Sequence, residues 1–131
     1  MIYIGGISYA QHVLKVLVCE DDDVVLKVIQ VALSECNVHA VFAKDGREAL
    51  RLLNEMNDYG LIITDIHMPY HNGDEILQLV RVDQKKDTPI VMISSDAEEE
   101  VVALALKSGV DEFISKPVDP AKLMRKIKKF L

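Results

Sequence analysis

Short apolar runs rich in β-branched residues alternate with helical patterns along most of the chain, and this alternation constrains the fold most. The five runs cover residues 15–19, 39–43, 61–64, 90–93 and 112–114. Several are continuous rather than interrupted by polar residues, as in strands that are covered on both faces. The runs therefore predict buried strands.

Helical periodicity occupies the segments between these runs. From Val25 onwards, apolar residues recur at i, i+3, i+4, i+7 and i+8, which is the spacing of one helix face. Four more helices are predicted after Gly46, after Gly73, over 101–106 with Ser108 and Gly109 as its C-terminal cap, and over about 119–130. Five strand–helix units with short connections predict an α/β fold, in which helices cover both faces of a parallel sheet.

The length of 131 residues indicates one domain, and the 50% hydrophobic content is sufficient for a core. Residues 1–13 precede the alternation, so we expect an N-terminal extension over 1–13 and one domain over 14–131. The segment 1–12 lacks a positively charged start and contains Gly5 and Gly6, so a signal peptide is not expected.

The net charge of −6, from 15 Lys and Arg against 21 Asp and Glu, argues against direct binding of nucleic acid or an anionic membrane. No apolar run approaches the roughly 18–20 residues of a membrane span, so no membrane insertion is expected. Two cysteines without a CxxC motif are typical of a reduced cytoplasmic protein rather than a disulfide framework.

Polar residues follow the predicted strands where each strand ends. Glu20 and Asp21 follow the first strand, Asp65 the third, Ser94 the fourth, and Lys116 comes two residues after the fifth. In a doubly wound sheet these ends share one edge, where ligands bind. Singly, each acid is best interpreted as a helix cap or a solvated charge. Their joint placement instead favours a site.

The chemistry of these residue types indicates a metal and phosphoryl site. Clustered carboxylates repel one another unless a cation neutralises them, and their oxygens suit Mg²⁺ together with a phosphate oxygen. Lys116 offers a compact positive charge and Ser94 a hydroxyl donor. Asp65 can act as a nucleophile that forms an aspartyl phosphate.

These motifs, in this order, resemble the response-regulator receiver domain of two-component signalling. The resemblance covers about residues 14–131 and is carried by the segments Val-Leu-Val-Cys-Glu-Asp-Asp (16–22), Leu-Ile-Ile-Thr-Asp-Ile-His-Met-Pro (61–69), Ile-Ser-Ser (93–95) and Phe-Ile-Ser-Lys-Pro (113–117). It implies a flavodoxin-like, doubly wound, five-stranded parallel sheet of strand order 2-1-3-4-5 with five helices.

The resemblance also implies roles for individual residues at the metal site. Asp65 would be the phosphoacceptor and a metal ligand, and Asp21 would ligate Mg²⁺ (or Mn²⁺) directly. Glu20 would act through a water molecule, and the backbone carbonyl of His67 would supply a further ligand.

The same resemblance implies the remaining roles and the partners. Lys116 would hold a phosphoryl oxygen, Ser94 would hydrogen-bond another, and Phe113 would then turn inward as part of the switch. The phosphodonor would be a histidine kinase or a histidine phosphotransfer protein. A downstream protein would bind the surface of the fourth helix, fifth strand and fifth helix. Catalysis would be limited to self-phosphorylation and autodephosphorylation, so the chain is not expected to be an enzyme.

Six consecutive apolar residues, 101–106, exceed what one helix face can bury. They predict a partner surface, including a homodimer through the fourth helix. Five basic residues at 122–129 suit the C-terminal end of a helix and lack the aromatic interleaving of a nucleic-acid site.

Two alternatives stay open at this point. A phosphatase or phosphotransferase with an aspartate nucleophile would need a second acid just after that nucleophile, where this chain has His67, and usually a cap insertion. A phosphorylation-independent protein-binding module of the same fold would not need the complete acidic pocket.

Overall fold

The computed structural model of the chain describes residues 2–5, 7–9, 13–56, 58–96 and 98–131. The strands, in chain order, are β1 (Ile2–Ile4), β2 (Ile7–Tyr9), β3 (Leu14–Cys19), β4 (Val38–Ala43), β5 (Leu61–Asp65), β6 (Ile90–Ser94) and β7 (Glu112–Ser115). The α-helices are α1 (Asp23–Ser34), α2 (Gly46–Glu55), α3 (Gly73–Gln78), α4 (Glu99–Lys107) and α5 (Pro120–Ile127). Helix α3 continues into a π-helical turn (Leu79–Asp83), and α5 into a 3₁₀ turn (Lys128–Phe130).

Strands β3 to β7 form one parallel sheet in the order β4-β3-β5-β6-β7, which is 2-1-3-4-5 when these five strands are numbered along the chain. The predicted fold class is therefore confirmed. The register pairs Cys19 with Thr64, and Ser94 with Ser115. Neighbouring strands therefore end at nearly the same level, and the residues that follow them share one edge.

Helices cover the sheet on both faces. Helices α1 and α5 bury Ile29 and Leu123 in a core on one face, while α2 and α3 bury Leu53 and Ile76 in a core on the other. All residues of β5 and β6 are buried, which explains why these strands are continuous apolar runs.

Short polar side chains cap the helices. The side chain of Asp22 accepts hydrogen bonds from the amides of Val24 and Val25 at the start of α1. Asn72 and Glu75 form a reciprocal capping box at the start of α3. Among the described residues, no helix combines the length and the apolar character that crossing a membrane requires.

The N-terminal segment contains a hairpin that the sequence analysis did not predict. Strand β1 pairs antiparallel with β2, and together they form a separate two-stranded sheet. Residues 1, 6 and 10–12 of the predicted extension lie outside the described residues. The boundary between an extension over 1–13 and a domain over 14–131 stays a prediction.

Arg81, in the π-helical turn, ties three segments together. Its Nη1 donates to the carbonyl oxygens of Lys86 and Thr88, at 2.9 and 2.7 Å. Its Nε and Nη2 donate to the carbonyl oxygen of Gly109, and Nη2 also donates to Asp111 Oδ2. This guanidinium joins the end of α3 to the segment before β6 and to the loop between α4 and β7.

We predict that Arg81→Met lowers the free energy of unfolding by about 2–4 kcal/mol, because it leaves part-buried carbonyl groups without a donor. Urea unfolding followed by circular dichroism measures this change. Arg51→Met, which removes an exposed ion pair with Glu55 on α2, is the control, and its expected effect is under about 1 kcal/mol. Equal losses in the two variants would contradict the bridging role.

Candidate functional site

The carboxyl edge of the sheet brings together the four strand ends that the sequence indicated. Asp65 and Ser94 are the last residues of β5 and β6, while Glu20 follows β3 directly. Glu20 and Ser94 are fully buried, and Asp65 is 4% exposed. Lys116, one residue beyond β7, reaches this cluster, so the predicted residues converge on one place.

Three carboxylates form the acidic part of the site. Ligand oxygens of Glu20, Asp21 and Asp65 all lie within 4.8 Å of one another. Asp21 is exposed, whereas the other two are buried. The Oε2 atom of Glu20 is buried and has no hydrogen-bond partner among the described residues. A buried carboxylate oxygen without a partner is costly, and a bound cation would satisfy it, so this donor set fits Mg²⁺.

Lys116 supplies the positive charge of the site. Its Nζ lies 3.1 Å from Glu20 Oε1 and 3.0 Å from Asp65 Oδ2. A single ammonium group therefore contacts two of the three carboxylates, and the pocket keeps an excess of negative charge that a divalent ion can neutralise.

Burial and the neighbouring charge shift the protonation equilibria of this pocket. Burial, together with the charge of Asp65, raises the pKa of Glu20 to about 7. Burial alone would lower the pKa of Lys116, but its hydrogen bonds to Asp65 and Glu20 raise that pKa above the ordinary value. Lys116 is therefore protonated at neutral pH, whereas the charged form of the Glu20 carboxylate is destabilised by its burial and by the charge of Asp65.

Backbone amides fix the orientation of the two buried carboxylates. The Asp22 amide donates to Glu20 Oε1 at 3.1 Å, and the His67 amide donates to Asp65 Oδ1 at 3.3 Å. His67 thus lies at the site through its backbone, while its side chain is exposed. The expected role of the His67 carbonyl as a metal ligand stays a prediction.

The two predicted switch residues are both buried. Ser94 Oγ accepts a hydrogen bond from the amide of Asp96 at 3.0 Å. Phe113 is 7% exposed and packs into the core on the α2 and α3 face. The ring already faces inward in this structure, and its movement on phosphorylation stays a prediction.

Two glycines, Gly73 and Gly46, let the loop after β5 pack closely, and the sequence analysis predicted this role for neither of them. A Cβ at Gly73 would lie 2.7 Å from the carbonyl oxygen of Asp65. A Cβ at Gly46 would collide with the carbonyl oxygen of His71, and the Gly46 amide donates to Pro69 O at 3.0 Å. Next to it, the Arg47 guanidinium lies 4.1 Å from the centre of the Tyr70 ring. In the sequence, the Asp45-Gly46 pair is the feature that indicates the close contact between Gly46 and the loop after β5.

The fold and the pocket define a doubly wound α/β protein with a carboxylate and lysine site at its strand ends. A model of the response regulator receiver domain family matches residues 16–128. The chain belongs to this family, so the resemblance predicted from sequence is confirmed.

Similar solved structures and curated relatives agree with this assignment. Chemotaxis response regulator CheY4 of Vibrio cholerae aligns with a TM-score of 0.81 and 28% identity, over 92% of this chain and 100% of that chain. The receiver domain of the Francisella response regulator 1452 aligns with a TM-score of 0.81 and 33% identity, over 89% and 95%. Two-component response regulator ORR22 of Oryza sativa subsp. indica is 35% identical over 106 residues, which is 80% of this chain. The chain spans 15% of the length of that relative.

We predict that Glu20→Gln stabilises the metal-free protein by about 1–3 kcal/mol at pH 8, because it removes a buried, repelled charge. The folded-state pKa of Glu20 lies above its unfolded value, so wild-type stability falls as pH rises from about 4.5 to 7. The stability gained by Glu20→Gln should therefore be smaller at pH 5 than at pH 8. Thermal unfolding of both proteins in the presence of a metal chelator, at pH 5 and pH 8, measures this difference.

Added Mg²⁺ provides the control for this substitution. It should raise the melting temperature of the wild type more than that of Glu20→Gln, since a ligand that binds only the folded state stabilises it. A variant that is less stable than the wild type in chelator at pH 8 would contradict the charge argument.

Proposed function

We propose that Asp65 accepts a phosphoryl group from the phosphohistidine of a histidine kinase or a histidine phosphotransfer protein. The observation that carries this proposal is the pairing of a nearly buried Asp65 carboxylate with Lys116 at 3.0 Å, inside a cluster of three carboxylates. A carboxylate in such surroundings can be phosphorylated because the adjacent cation offsets the added negative charge.

Each residue of the pocket has a defined task in this transfer. An Asp65 carboxylate oxygen attacks phosphorus, the bond from phosphorus to the donor histidine nitrogen breaks, and Lys116 stabilises the oxygen charge. Asp21 and Asp65 would hold Mg²⁺ (or Mn²⁺) directly, with Glu20 acting through water and His67 through its carbonyl. Bound Mg²⁺ supplies further charge neutralisation at the phosphoryl oxygens.

The same geometry supports a switch rather than a turnover enzyme. His67 stands where a phosphatase of this type would need its second acid, so catalysis is restricted to self-phosphorylation and autodephosphorylation. A phosphoryl group on Asp65 would offer an acceptor for the Ser94 O–H, whose oxygen accepts a hydrogen bond from the Asp96 amide in this structure. The new hydrogen bond, together with the position of the Phe113 ring, would alter the α4–β7–α5 surface for a downstream protein.

We predict that a small phosphodonor such as acetyl phosphate, with Mg²⁺, adds the mass of one phosphoryl group to the intact protein. Asp65→Asn should abolish the adduct because it removes the nucleophile. Asp58→Asn, which changes an exposed aspartate paired with Lys15, is the matched control and should retain it. Intact-mass spectrometry measures all three proteins.

The alternative function is a phosphorylation-independent binding module. It would be favoured if no adduct formed and if beryllofluoride, which mimics the phosphoryl group, left the amide spectrum of the protein unchanged. The buried Glu20 oxygen without a hydrogen-bond partner argues against this alternative, because a module that binds no metal would keep a destabilising desolvated carboxylate without any function for it.

A cytoplasmic location is part of our proposal and rests on the two free cysteines.

A second copy of the chain is a candidate partner for α4. None of the nine residues of α4 is buried, and Leu106 is 46% exposed, as the long apolar run predicted. We predict that Leu106→Glu weakens a beryllofluoride-induced dimer at least about tenfold, because it places charge in an apolar contact. Sedimentation velocity measures this, with Val24→Glu on α1 as control. A purely monomeric wild type in both states would exclude the homodimer.

A further inference from the structure

A groove lies between α3 with its π-helical turn and α4, and it adjoins the phosphoacceptor segment. Its volume is about 530 Å³, which falls within the roughly 300–1,000 Å³ of ligand-binding clefts. Ile66 and His67, directly after Asp65, line its end nearest the pocket. Asp96, two residues after Ser94, lines the same end.

Apolar side chains dominate the walls of this groove. Val82, on the π-helical turn, is 60% exposed, and Leu104, on α4, is 66% exposed. Leu77, Val101 and Ala105 contribute further apolar surface between them. A cluster of exposed large aliphatic side chains around a concavity indicates a binding surface.

Acidic residues without ion-pair partners lie in the groove and at the start of one of its walls. Asp74 and Asp96 line the groove, and α4 begins with Glu99 and Glu100. Within the described part of the chain, none of these four residues takes part in an ion pair. By contrast, Asp23, Asp58 and Glu55 are each paired with a lysine or an arginine.

Arg81, the arginine among the described residues that line the groove, is already engaged. Arg81 uses its guanidinium nitrogens on Lys86, Thr88, Gly109 and Asp111, so its charge does not compensate this rim. The groove therefore offers aliphatic walls with an uncompensated negative rim. A complementary partner carries aliphatic side chains flanked by lysine or arginine.

We propose that this α3–α4 groove is a second docking site beside the α4–β7–α5 surface, and that it binds a basic, aliphatic segment of the downstream protein. The inference rests on the proposed function in one respect, namely that occupancy depends on the state of Asp65. Ile66 and His67, which directly follow Asp65, and Asp96, two residues after Ser94, line the groove, so a phosphoryl group held between Asp65 and Ser94 would act on this part of the groove first.

The test uses the full chain, isotope-labelled, and a short synthetic amphipathic peptide of leucine and lysine as the probe. Amide and methyl chemical shifts are followed during titration, with and without beryllofluoride. A peptide in which glutamate replaces each lysine is the chemical control. We expect the lysine peptide to shift Ile66, Val82 and Leu104, to bind at least about tenfold more tightly than the glutamate peptide, and to change its affinity on adding beryllofluoride.

Two exposed substitutions localise the binding. Leu104→Ser and Val82→Ser should each weaken binding about fivefold to tenfold, with unchanged amide dispersion showing that both variants fold. Val24→Ser, at a 74% exposed valine on α1, should leave the binding unchanged. Shifts that cluster on α1, or equal affinity of the two peptides, would overturn the proposal.

The comparison of peptide binding with and without beryllofluoride distinguishes failure of this proposal from failure of the proposed function. If Asp65 forms the phosphoryl adduct but groove binding ignores beryllofluoride, the groove is not the output site and the inference fails alone. If no adduct forms while the lysine peptide still binds the groove, the proposed function fails and the docking chemistry stands.

Discussion

The ammonium group of Lys116 connects two buried carboxylates that lie far from it in sequence, and the site depends on this connection. Glu20 directly follows β3, and Asp65 is the last residue of β5. The side chain of Lys116 contacts both from one residue beyond β7. Two buried like charges would repel each other strongly without it. The parallel register places all three groups at one edge of the sheet, so the pocket exists only when the whole sheet has formed.

Much of the fold and most of the pocket could be predicted from sequence, for identifiable physical reasons. Strands buried on both faces, such as β5 and β6, are continuous apolar runs, and these are easily distinguished from helical periodicity. Since parallel strands share one carboxyl edge, the residues after each strand identify a site without knowledge of tertiary contacts. Asp65, Ser94 and Lys116 were located in this way.

The features that could not be predicted depend on contacts between distant segments. Arg81 has the appearance of an ordinary surface arginine in sequence, because its acceptors are backbone carbonyls of residues up to 28 positions away. The close approach of Gly46 to His71 arises from the packing of a loop on α2. The β1–β2 hairpin is a different case, because Gly5 and Gly6 between two short runs of isoleucine and tyrosine are a local hairpin signal that the sequence analysis missed. The α3–α4 groove likewise follows from how the two helices are spaced.

The loose attachment of α4 has a consequence for the energy that signalling requires. Every residue of α4 keeps some solvent exposure, and Val101, Val102 and Ala105 pack against the core only partly buried, so we expect the local opening free energy of α4 to lie below that of global unfolding. If α4 takes two positions, the free-energy difference between them sets how each is populated. Substitutions of single aliphatic residues along α4 would then change these populations, while the sheet and its pocket keep their stability.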